Sequence, residues 1–186
     1  MTDSPADDIR TRRIALVRHG QTDWNARNFF QGRVDRELDA TGELQASAAA
    51  RSLAGHAWTR VVTSPLTRAR QTAHIIRGRL GLPEPALAAG LIEQSFGAAE
   101  GVDREVALAR WPGSAFPGGE SRAEVDERVA DAWAELARAD DDLVVVAHVV
   151  VIRSLAGLLT GRDPGHVANG SVTILERVGD VWSVAA

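Results

Sequence analysis

The chain of 186 residues has the length of one ordinary domain, and an apolar fraction of 45% is enough to fill one sizeable core. Its 25 acids against 21 bases give a formal net charge of −4, which argues against a nucleic-acid-binding module because such modules carry a basic excess. Every base is an arginine, and cysteine is absent. This composition excludes a lysine Schiff base, a disulfide framework, a cysteine nucleophile and a cysteine zinc site.

The amino-terminal segment 1–12 is polar and mostly charged, and no apolar stretch follows its basic residues as in a secretory signal. We predict a disordered tail over 1–12 and a single domain over 13–186. The most apolar run, Leu143 to Ile152, is interrupted by His148 and is shorter than the roughly 20 residues that span a bilayer. We therefore expect a cytoplasmic protein that binds neither nucleic acid nor membrane.

Short apolar runs predict β-strands. Ile14–Val17 and Leu143–Ala147 are apolar without alternation, as in strands of a parallel sheet that is covered on both faces. Arg60–Thr63 is a short β-branched strand. Val172–Leu175 and Val181–Val184, separated by a Gly-Asp pair, predict a hairpin at the sheet edge.

Helical patterns alternate with these strands. Helices are expected over 41–55, over 64–81 with Ser64 as N-cap and Pro65 as first helical residue, over 120–139, and from about 152 to 161. The stretch Leu87–Ile92 is a candidate for a further strand. Alternation of this kind predicts an α/β fold, a three-layer sandwich with a mostly parallel central sheet and helices on both faces.

Ligands of open α/β sheets bind outside the carboxyl ends of the strands, so the residues that follow each run are the informative ones. Polar groups stand at four of these ends: Arg18 with His19, Ser64 with Arg68, Glu93, and His148. Two imidazoles, two guanidiniums and a carboxylate are therefore expected to converge on one crevice.

This group of side chains suits a phosphomonoester, which carries a charge of about −1.5 to −2 near neutral pH and matches the fork of arginine. Arg68 would lie in the first turn of a helix, where the helix dipole disfavours a cation unless an anion is bound beside it. An ordinary surface arginine paired with a nearby acid is the alternative that position alone leaves open.

His19 is either a hydrogen-bonded structural residue or a nucleophile, since a neutral imidazole nitrogen can attack phosphorus and hold the phosphoryl group as phosphohistidine. The leaving alkoxide then needs a proton from a carboxylic acid, whose conjugate base can activate the attacking water. Glu93 is the first candidate for this acid. Glu100 and Glu120 are the alternatives.

Six sequence motifs follow one another along the chain, and together they identify a family more specifically than any single tripeptide. They are LVRHGQTDWN at 16–25, QGRVD at 31–35, TSPLTRARQTA at 63–73, LIE at 91–93, GGES at 118–121 and AH at 147–148. Together they resemble the histidine phosphatase superfamily, in its phosphoglycerate-mutase-like branch. The resemblance extends over most of the chain, from 13 to about 171.

The resemblance implies a phosphoglycerate-mutase-like fold and an enzyme that needs no metal and no other cofactor. It implies that His19 is the phosphorylated nucleophile and Glu93 the proton donor. The phosphoryl oxygens would be bound by Arg18, Asn25, Arg68 and His148. We further assign Thr22, Gln31 and Gly32 to the binding of the substrate.

Two positions depart from the family pattern. Val149 stands where the family usually has glycine, and its branched side chain is expected to crowd the approach of the backbone to the phosphate. Ala99 stands where many relatives carry tryptophan, which is expected to widen the substrate mouth.

The compact chain, without extra segments to enclose the substrate, predicts a phosphatase acting on small phosphorylated metabolites, because water can then reach the phosphoenzyme. A cofactor-dependent phosphoglycerate mutase is the first alternative. A phosphate-binding domain with little or no turnover, suggested by Val149, is the second. A homodimer is a further possibility that the sequence leaves open.

Overall fold

The structure, a computed structural model, describes residues 11–185. It contains six strands: β1 (Arg12–Arg18), β2 (Arg60–Thr63), β3 (Ala86–Leu87), β4 (Leu143–Ala147), β5 (Val172–Val178) and β6 (Val181–Val184). They form one sheet in the order β3-β2-β4-β1-β5-β6. Residues 1–10 of the predicted tail lie outside the described residues, whereas Arg12 is already the first residue of β1.

The helices are α1 (Asp23–Ala26), α2 (Ala40–Leu53), α3 (Thr67–Leu80), α4 (Arg104–Arg110), α5 (Arg122–Leu136) and α6 (Val149–Thr160). Single 3-10 turns occupy Ala89–Leu91, Gly97–Ala99 and Pro112–Ser114. None of these helices within 11–185 has the length and apolarity to cross a membrane.

The sheet is mixed. Strands β3, β2, β4 and β1 run parallel, while β5 is antiparallel to β1 and β6 is antiparallel to β5. The predicted edge hairpin is therefore confirmed. The predicted α/β class with a mostly parallel sheet is confirmed as well.

Both faces of the sheet are covered, which explains why its central strands are apolar without alternation. Ile14 and Leu16 of β1 pack on one face with residues of α5 and α6. Ala15 and Val17 point to the other face and pack with residues of α2 and α3. Each large aliphatic side chain buried in this way contributes about 1.5–3 kcal/mol to the free energy of folding.

The predicted start of α3 is wrong. The helix begins at Thr67, and the N-cap position belongs to Leu66, whose side chain makes no capping bond. The carboxylate of Asp35 accepts hydrogen bonds from both the backbone N–H and the hydroxyl of Thr67 at 2.7 Å, so it satisfies the first turn from a distant loop. The hydroxyl of Ser64 is engaged elsewhere, with His148.

The middle of the chain differs from the prediction in two further ways. The candidate strand Leu87–Ile92 is only the two-residue edge strand β3, followed by a 3-10 turn at Ala89–Leu91. Helix α4 was not predicted. It has seven residues, of which only Ala107 is buried, so its sequence carries almost no helical periodicity.

Candidate active site

The carboxyl ends of β1, β4 and β2 lie level with one another on adjacent strands. Arg18 is paired with Ala147, and beyond the last pairs the backbone N–H of His19 donates to the carbonyl of Ala147 at 3.0 Å. The N–H of Ser64 likewise donates to the carbonyl of Val146 at 3.0 Å. As a result His19, His148 and Ser64 leave the sheet side by side, as the topology predicted.

The imidazole of His19 is held in one tautomer. Its Nδ1 lies 2.7 Å from the carbonyl oxygen of Gly20, which can only accept, so Nδ1 carries the proton. Its Nε2 therefore has a free lone pair, which accepts a hydrogen bond from Nε of Arg68 at 3.2 Å. Burial, followed by the positive charges of Arg68 and Arg18, lowers the pKa of His19 well below its usual value. At neutral pH the ring is uncharged.

Gly20 is required beside His19 by a close approach of two backbones. A Cβ atom at this position would lie 2.3 Å from the carbonyl oxygen of Gly42 in the first turn of α2. The N–H of Gly20 donates to the hydroxyl of Thr72, which itself donates to the carbonyl of Arg68. The segment His19–Gly20 after β1, called the histidine loop below, is thereby fixed against both α2 and α3.

His148 is fully buried, and its ring centroid lies 5.1 Å from that of His19. Its Nε2 is 2.7 Å from the hydroxyl of Ser64, while its buried Nδ1 has no hydrogen-bond partner among the described residues. Burial, and then the charge of Arg68 and the neighbouring His19, lower the pKa of His148 well below its usual value. The site therefore contains two neutral imidazoles.

The guanidinium of Arg68 is buried and fixed on three sides. Its two terminal nitrogens donate to the carbonyls of Val34 at 3.0 Å and Gly32 at 2.7 Å, and its Nε points at His19. Burial lowers its pKa to about 10, so it still carries its charge at neutral pH. Gly32 has a φ of +53°, and a Cβ there would lie 2.1 Å from the carboxylate of Glu100, so this turn requires glycine.

Arg18 makes fewer hydrogen bonds than Arg68, and one of its buried N–H donors has no partner among the described residues. One terminal nitrogen donates to the carbonyl of Val167 at 2.8 Å, while Nε is buried and has no partner among the described residues. Burial lowers the pKa of Arg18, and the charge of Glu93 opposes this effect. A buried donor without a partner is costly unless a ligand satisfies it.

Asn25 has its side-chain oxygen fully engaged by its neighbours. The oxygen accepts from the backbone N–H and the hydroxyl of Thr22, both at 3.1 Å, and from the amide of Asn169 at 3.2 Å. Because every one of these contacts is to the oxygen, the amide nitrogen of Asn25 remains available as a donor. Asn169 also donates to the carbonyl of His19 at 3.1 Å, so it ties α1 to the histidine loop.

Glu93 is the buried carboxyl of the site. Its Oε1 accepts from the backbone N–H of Gln94 at 2.9 Å, and burial raises its pKa despite this bond and the nearby arginines. A raised pKa favours the protonated form that a proton donor needs.

The alternatives Glu100 and Glu120 are occupied by structural contacts. The carboxylate of Glu100 accepts from the backbone N–H groups of Arg33 and Phe96, both at 3.0 Å. Partial burial raises the pKa of Glu120, but the bidentate bonds and charge of Arg128 outweigh it and hold that pKa below its usual value.

Arg128 is a supporting residue that the sequence did not reveal. Besides its pair with Glu120, it donates to the carbonyls of Gly90 at 2.8 Å and Ile92 at 2.7 Å, directly before Glu93. These bonds fix the backbone that carries the buried carboxyl.

A small cavity of about 70 Å³ lies at the centre of these groups. Its walls include seven of the predicted site residues: Arg18, His19, Asn25, Gln31, Gly32, Arg68 and Glu93. His148 is not among the residues that line this cavity, and its ring lies beside that of His19. The assignment of Thr22 to substrate contact is wrong, because Thr22 is fully buried and its hydroxyl instead binds Asn25 and Gln31.

The two departures from the family pattern have different consequences. Val149 is the first residue of α6 and lines the cavity, as expected from its position after His148. Ala99 is fully buried in a small cluster with Phe30 and Ala107 and lies outside the cavity wall. Ala99 therefore contributes no atom to the wall of this cavity.

The arrangement suits a small tetrahedral oxyanion. It offers guanidinium donors, an amide donor and the amino-terminal end of α6, whose N-cap residue His148 makes no side-chain capping bond. Within residues 11–185 no group of three or more histidines or carboxylates is placed to hold a metal ion.

Comparison with known proteins agrees with this description. A model of the histidine phosphatase superfamily (branch 1) matches residues 14–186. The chain is 33% identical over 177 residues to the uncharacterized phosphatase PhoE of Bacillus subtilis, covering 92% of this chain and 91% of that protein. It is also 33% identical over 175 residues to a 2,3-bisphosphoglycerate-dependent phosphoglycerate mutase of Methylobacterium radiotolerans, covering 84% and 82%.

Solved structures show the same likeness. A mycobacterial glucosyl-3-phosphoglycerate phosphatase in complex with VO3 aligns with a TM-score of 0.85 and 31% identity, covering 94% of this chain and 98% of that one. The structure called mycobacterial hydrolase 1 aligns with a TM-score of 0.83 and 31% identity, covering 95% and 98%. The chain therefore belongs to the histidine phosphatase superfamily, which confirms the predicted family.

Proposed function

We propose that this protein is a phosphomonoester hydrolase that acts on small phosphorylated metabolites through a phosphohistidine at His19. The observation that carries the proposal is the pair of neutral, buried imidazoles with ring centroids 5.1 Å apart, beside the fixed guanidinium of Arg68. The phosphatase names of PhoE and of the mycobacterial glucosyl-3-phosphoglycerate phosphatase support hydrolysis as the reaction.

In the first step Nε2 of His19 attacks phosphorus. The N–P bond forms while the bond from phosphorus to the ester oxygen breaks, and Glu93 gives its proton to the leaving oxygen. The lone pair on Nε2 is available because Nδ1 holds the ring proton against Gly20. In the free protein this lone pair meets Nε–H of Arg68, a donor that a phosphoryl oxygen would take over.

Several donors would stabilise the negative charge on the transferred group. Nε of Arg18 and Nδ1 of His148 are buried without partners in the described part of the chain, and the amide nitrogen of Asn25 is unengaged by the contacts of its oxygen. The preorganised positions of these groups are what lowers the barrier, since no reorganisation is needed when charge develops.

In the second step water attacks the phosphohistidine. The carboxylate of Glu93 accepts a proton from this water, the new P–O bond forms, and the N–P bond breaks to restore neutral His19. A larger cavity of about 460 Å³ shares Arg18, Asn25 and Val149 with the wall of the cavity around His19, and we expect the attacking water to enter from that side.

The decisive experiment combines a panel of phosphomonoesters, assayed with EDTA, and mass spectrometry of the protein trapped during turnover. We expect phosphate release that the chelator leaves unchanged and a phosphoryl group on His19. His19→Ala is expected to lose both while its circular dichroism spectrum is retained, because the ring contributes chemistry at a strand end rather than core volume. Turnover by His19→Ala would contradict the proposed nucleophile.

Phosphoglycerate mutase activity is the second candidate, favoured by the names of relatives such as that of Methylobacterium radiotolerans. The same panel separates the two. Rapid exchange between 3- and 2-phosphoglycerate, with little phosphate release from any monoester, would replace hydrolysis by mutase activity. Stable phosphate binding with neither reaction would instead identify a binding domain.

We also infer metal independence, a cytoplasmic location and small phosphorylated metabolites as the partners of the site. Metal independence is supported by the guanidinium groups of Arg18 and Arg68, which supply the positive charge that a metal would otherwise bring. A homodimer remains a proposal for which size-exclusion chromatography with light scattering is the test.

A further inference from the structure

Glu93 is buried, but it lies in a segment without regular structure. Residues 93–96 follow the 3-10 turn Ala89–Leu91 and belong to no helix or strand. Within residues 11–185 the carboxyl of Glu93 accepts a single hydrogen bond, from the backbone N–H of the adjacent Gln94. The direction in which this carboxyl points therefore depends on how firmly the backbone around Glu93 is fixed.

Two arginines from different parts of the chain hold this backbone. Arg128 of α5 donates to the carbonyls of Gly90 at 2.8 Å and Ile92 at 2.7 Å. Nε of Arg33 donates to the carbonyl of Glu93 itself at 3.2 Å. The two peptide groups that flank the Cα atom of Glu93 are thus each bonded to one arginine, and together these bonds fix the direction of its Cα–Cβ bond.

Glu120 joins the two arginines to each other. Its Oε1 accepts from a terminal nitrogen of Arg33 at 3.1 Å and from Nε of Arg128 at 2.7 Å, and its Oε2 accepts from a terminal nitrogen of Arg128 at 2.9 Å. The side chain of Glu120 is 13% exposed, so solvent and salt screen these contacts only in part. A carboxylate between two guanidiniums offsets their mutual repulsion, which allows both to bind the same short segment.

The backbone of Glu120 binds the same segment beyond Glu93. Its N–H donates to the carbonyl of Ser95 at 2.8 Å, and its carbonyl accepts from the side-chain amide of Gln94 at 2.6 Å. Glu120 therefore contacts the residues after Glu93 directly and the peptide groups on either side of it through the arginines.

The connection also extends to the phosphate pocket. Arg33 directly follows Gly32, whose carbonyl accepts from the guanidinium of Arg68 at 2.7 Å. The loop that holds the phosphate-binding arginine and the segment that carries Glu93 are in this way linked through Arg33.

We propose that Glu120 is a positioning residue for the proton donor: it holds Arg33 and Arg128 against the two peptide groups that flank Glu93 and so directs the carboxyl of Glu93 into the cavity around His19. The proposal rests on the proposed function, because it concerns the proton that Glu93 gives to the leaving oxygen. Glu120 is not among the residues that line this cavity, so it acts through the backbone of Glu93.

Glu120→Gln tests this role, because the amide keeps the shape of the side chain but turns one acceptor into a donor that faces an arginine. Glycerol 3-phosphate has an alkoxide leaving group that needs a proton, whereas p-nitrophenolate leaves without one. We expect kcat for glycerol 3-phosphate to fall roughly tenfold and kcat for p-nitrophenyl phosphate to change by less than about twofold, provided that phosphorylation limits both rates. The inhibition constant of inorganic phosphate is expected to stay within about twofold, because the donors of the pocket are unchanged.

Asp141→Asn is the matched control. Asp141 is 22% exposed and accepts two hydrogen bonds from Arg60, at 2.6 and 3.0 Å, at the amino-terminal end of β2 and therefore away from the site. Its replacement breaks a comparable ion pair and is expected to leave the ratio of the two kcat values unchanged. Arg33→Gln, at an exposed position, is the second variant in case Glu120→Gln does not fold. It removes the donor to the carbonyl of Glu93 and is expected to slow only the alkyl substrate.

The double variant Glu93→Gln/Glu120→Gln shows whether Glu120 acts through Glu93. It is expected to hydrolyse glycerol 3-phosphate no more slowly than Glu93→Gln alone, because a residue that positions the donor has no effect once the donor is gone. Equal decreases of kcat for the two probes in Glu120→Gln, or a further loss of about tenfold in the double variant, would overturn the proposal.

Hydrogen exchange, measured by NMR, separates this proposal from the proposed function. The backbone N–H of Gln94, which is bonded to the carboxyl of Glu93, is expected to exchange about tenfold faster in Glu120→Gln and at the wild-type rate in Asp141→Asn. Failure of the wild-type protein to hydrolyse either probe would count against the proposed function. Unchanged exchange at Gln94 in Glu120→Gln would instead overturn the positioning role, whereas faster exchange would support that role even in a protein without turnover.

Discussion

The hydroxyl of Ser64 lies 2.7 Å from Nε2 of His148, and both residues are fully buried. The oxygen of Ser64 also accepts from the backbone N–H of Leu66 at 3.3 Å, so its own proton is available to His148. A hydroxyl that donates to Nε2 places the ring proton on Nδ1. We therefore predict that Ser64 is a positioning residue, which selects the tautomer of His148 with the proton on Nδ1.

Ser64→Ala is therefore expected to lower kcat/KM by roughly tenfold, because it leaves a buried imidazole nitrogen without a partner and no longer selects the tautomer. Thr63→Val is the matched control. Thr63 is equally buried, but its hydroxyl donates to the carbonyl of Ser64 and touches neither histidine. The measurements are steady-state kinetics and thermal unfolding of both variants. Equal losses of activity in the two variants would reduce Ser64 to an ordinary core hydroxyl.

The same serine shows where sequence reasoning succeeds and where it stops. Its place at a strand end follows from the β-branched run Arg60–Thr63, which the structure shows as a strand with the same bounds. Its role does not follow, because a Ser-Pro pair reads locally as a helix start. The partner that overrides this local preference, His148, is 84 residues away and meets Ser64 only through the pairing of β2 with β4.

For the site as a whole, too, the positions of several residues could be predicted from the sequence, whereas their contacts with distant loops could not. The rule that ligands bind at the carboxyl ends of strands predicted that Arg18, His19 and Arg68 share one cavity, because the ends of β1 and β2 can be read from the hydrophobic pattern. Glu93 lines the same cavity, but it follows a 3-10 turn rather than the strand that was predicted before it. Asn25 required the family resemblance, since an isolated amide in a polar stretch has no periodicity. Asn169 was missed for the same reason: it follows no strand or helix pattern and acts through loop contacts with Asn25 and His19.

Glu93→Gln tests the proton donor through the leaving group. A leaving alkoxide of high pKa needs a proton as the bond to phosphorus breaks, whereas p-nitrophenolate does not. We expect kcat for an alkyl phosphate to fall by about 10²–10⁴-fold and kcat for p-nitrophenyl phosphate to fall much less, provided that phosphorylation limits both rates. Equal decreases for the two substrates would assign the loss to positioning or charge rather than to proton donation.

The pH dependence of the rate follows from two opposite pKa shifts at the site, those of His19 and Glu93. The reactive form has neutral His19 and protonated Glu93. Burial lowers the pKa of His19 below 6.5, so the rate falls only as the pH drops through that lowered value, and the acid limb lies below pH 6.5. Burial raises the pKa of Glu93 above 4.5, so the rate with alkyl phosphates falls as the pH rises through that raised value.

The profile of kcat/KM against pH, measured for both kinds of substrate, checks this assignment. We expect an alkaline limb with alkyl phosphates and a weak or absent one with p-nitrophenyl phosphate. In Glu93→Gln the alkaline limb is expected to disappear. Persistence of an unchanged alkaline limb in that variant would show that another group loses the proton.

Val149 stands where the family resemblance implies a glycine, and its effect on activity can be tested. The residue has a helical backbone at the start of α6, so it needs no special conformation, and it lines both the cavity around His19 and the larger cavity beside it. Val149→Gly is expected to raise kcat/KM several-fold for substrates with branched carbon next to the ester oxygen, because it removes carbon atoms from the wall of the cavity around His19. Its cost is a loss of helix stability of up to about 1 kcal/mol.

Val150→Gly provides the control for that cost. Val150 is also partly buried against the core at the start of α6, but it lines neither cavity, so it carries the helix penalty without the change in space. Urea unfolding should show similar destabilisation in the two variants, while only Val149→Gly gains activity on branched substrates. If Val149→Gly loses activity to the same degree as Val150→Gly, the valine does not restrict the approach to His19, and the reason for suspecting weak turnover in this chain disappears with it.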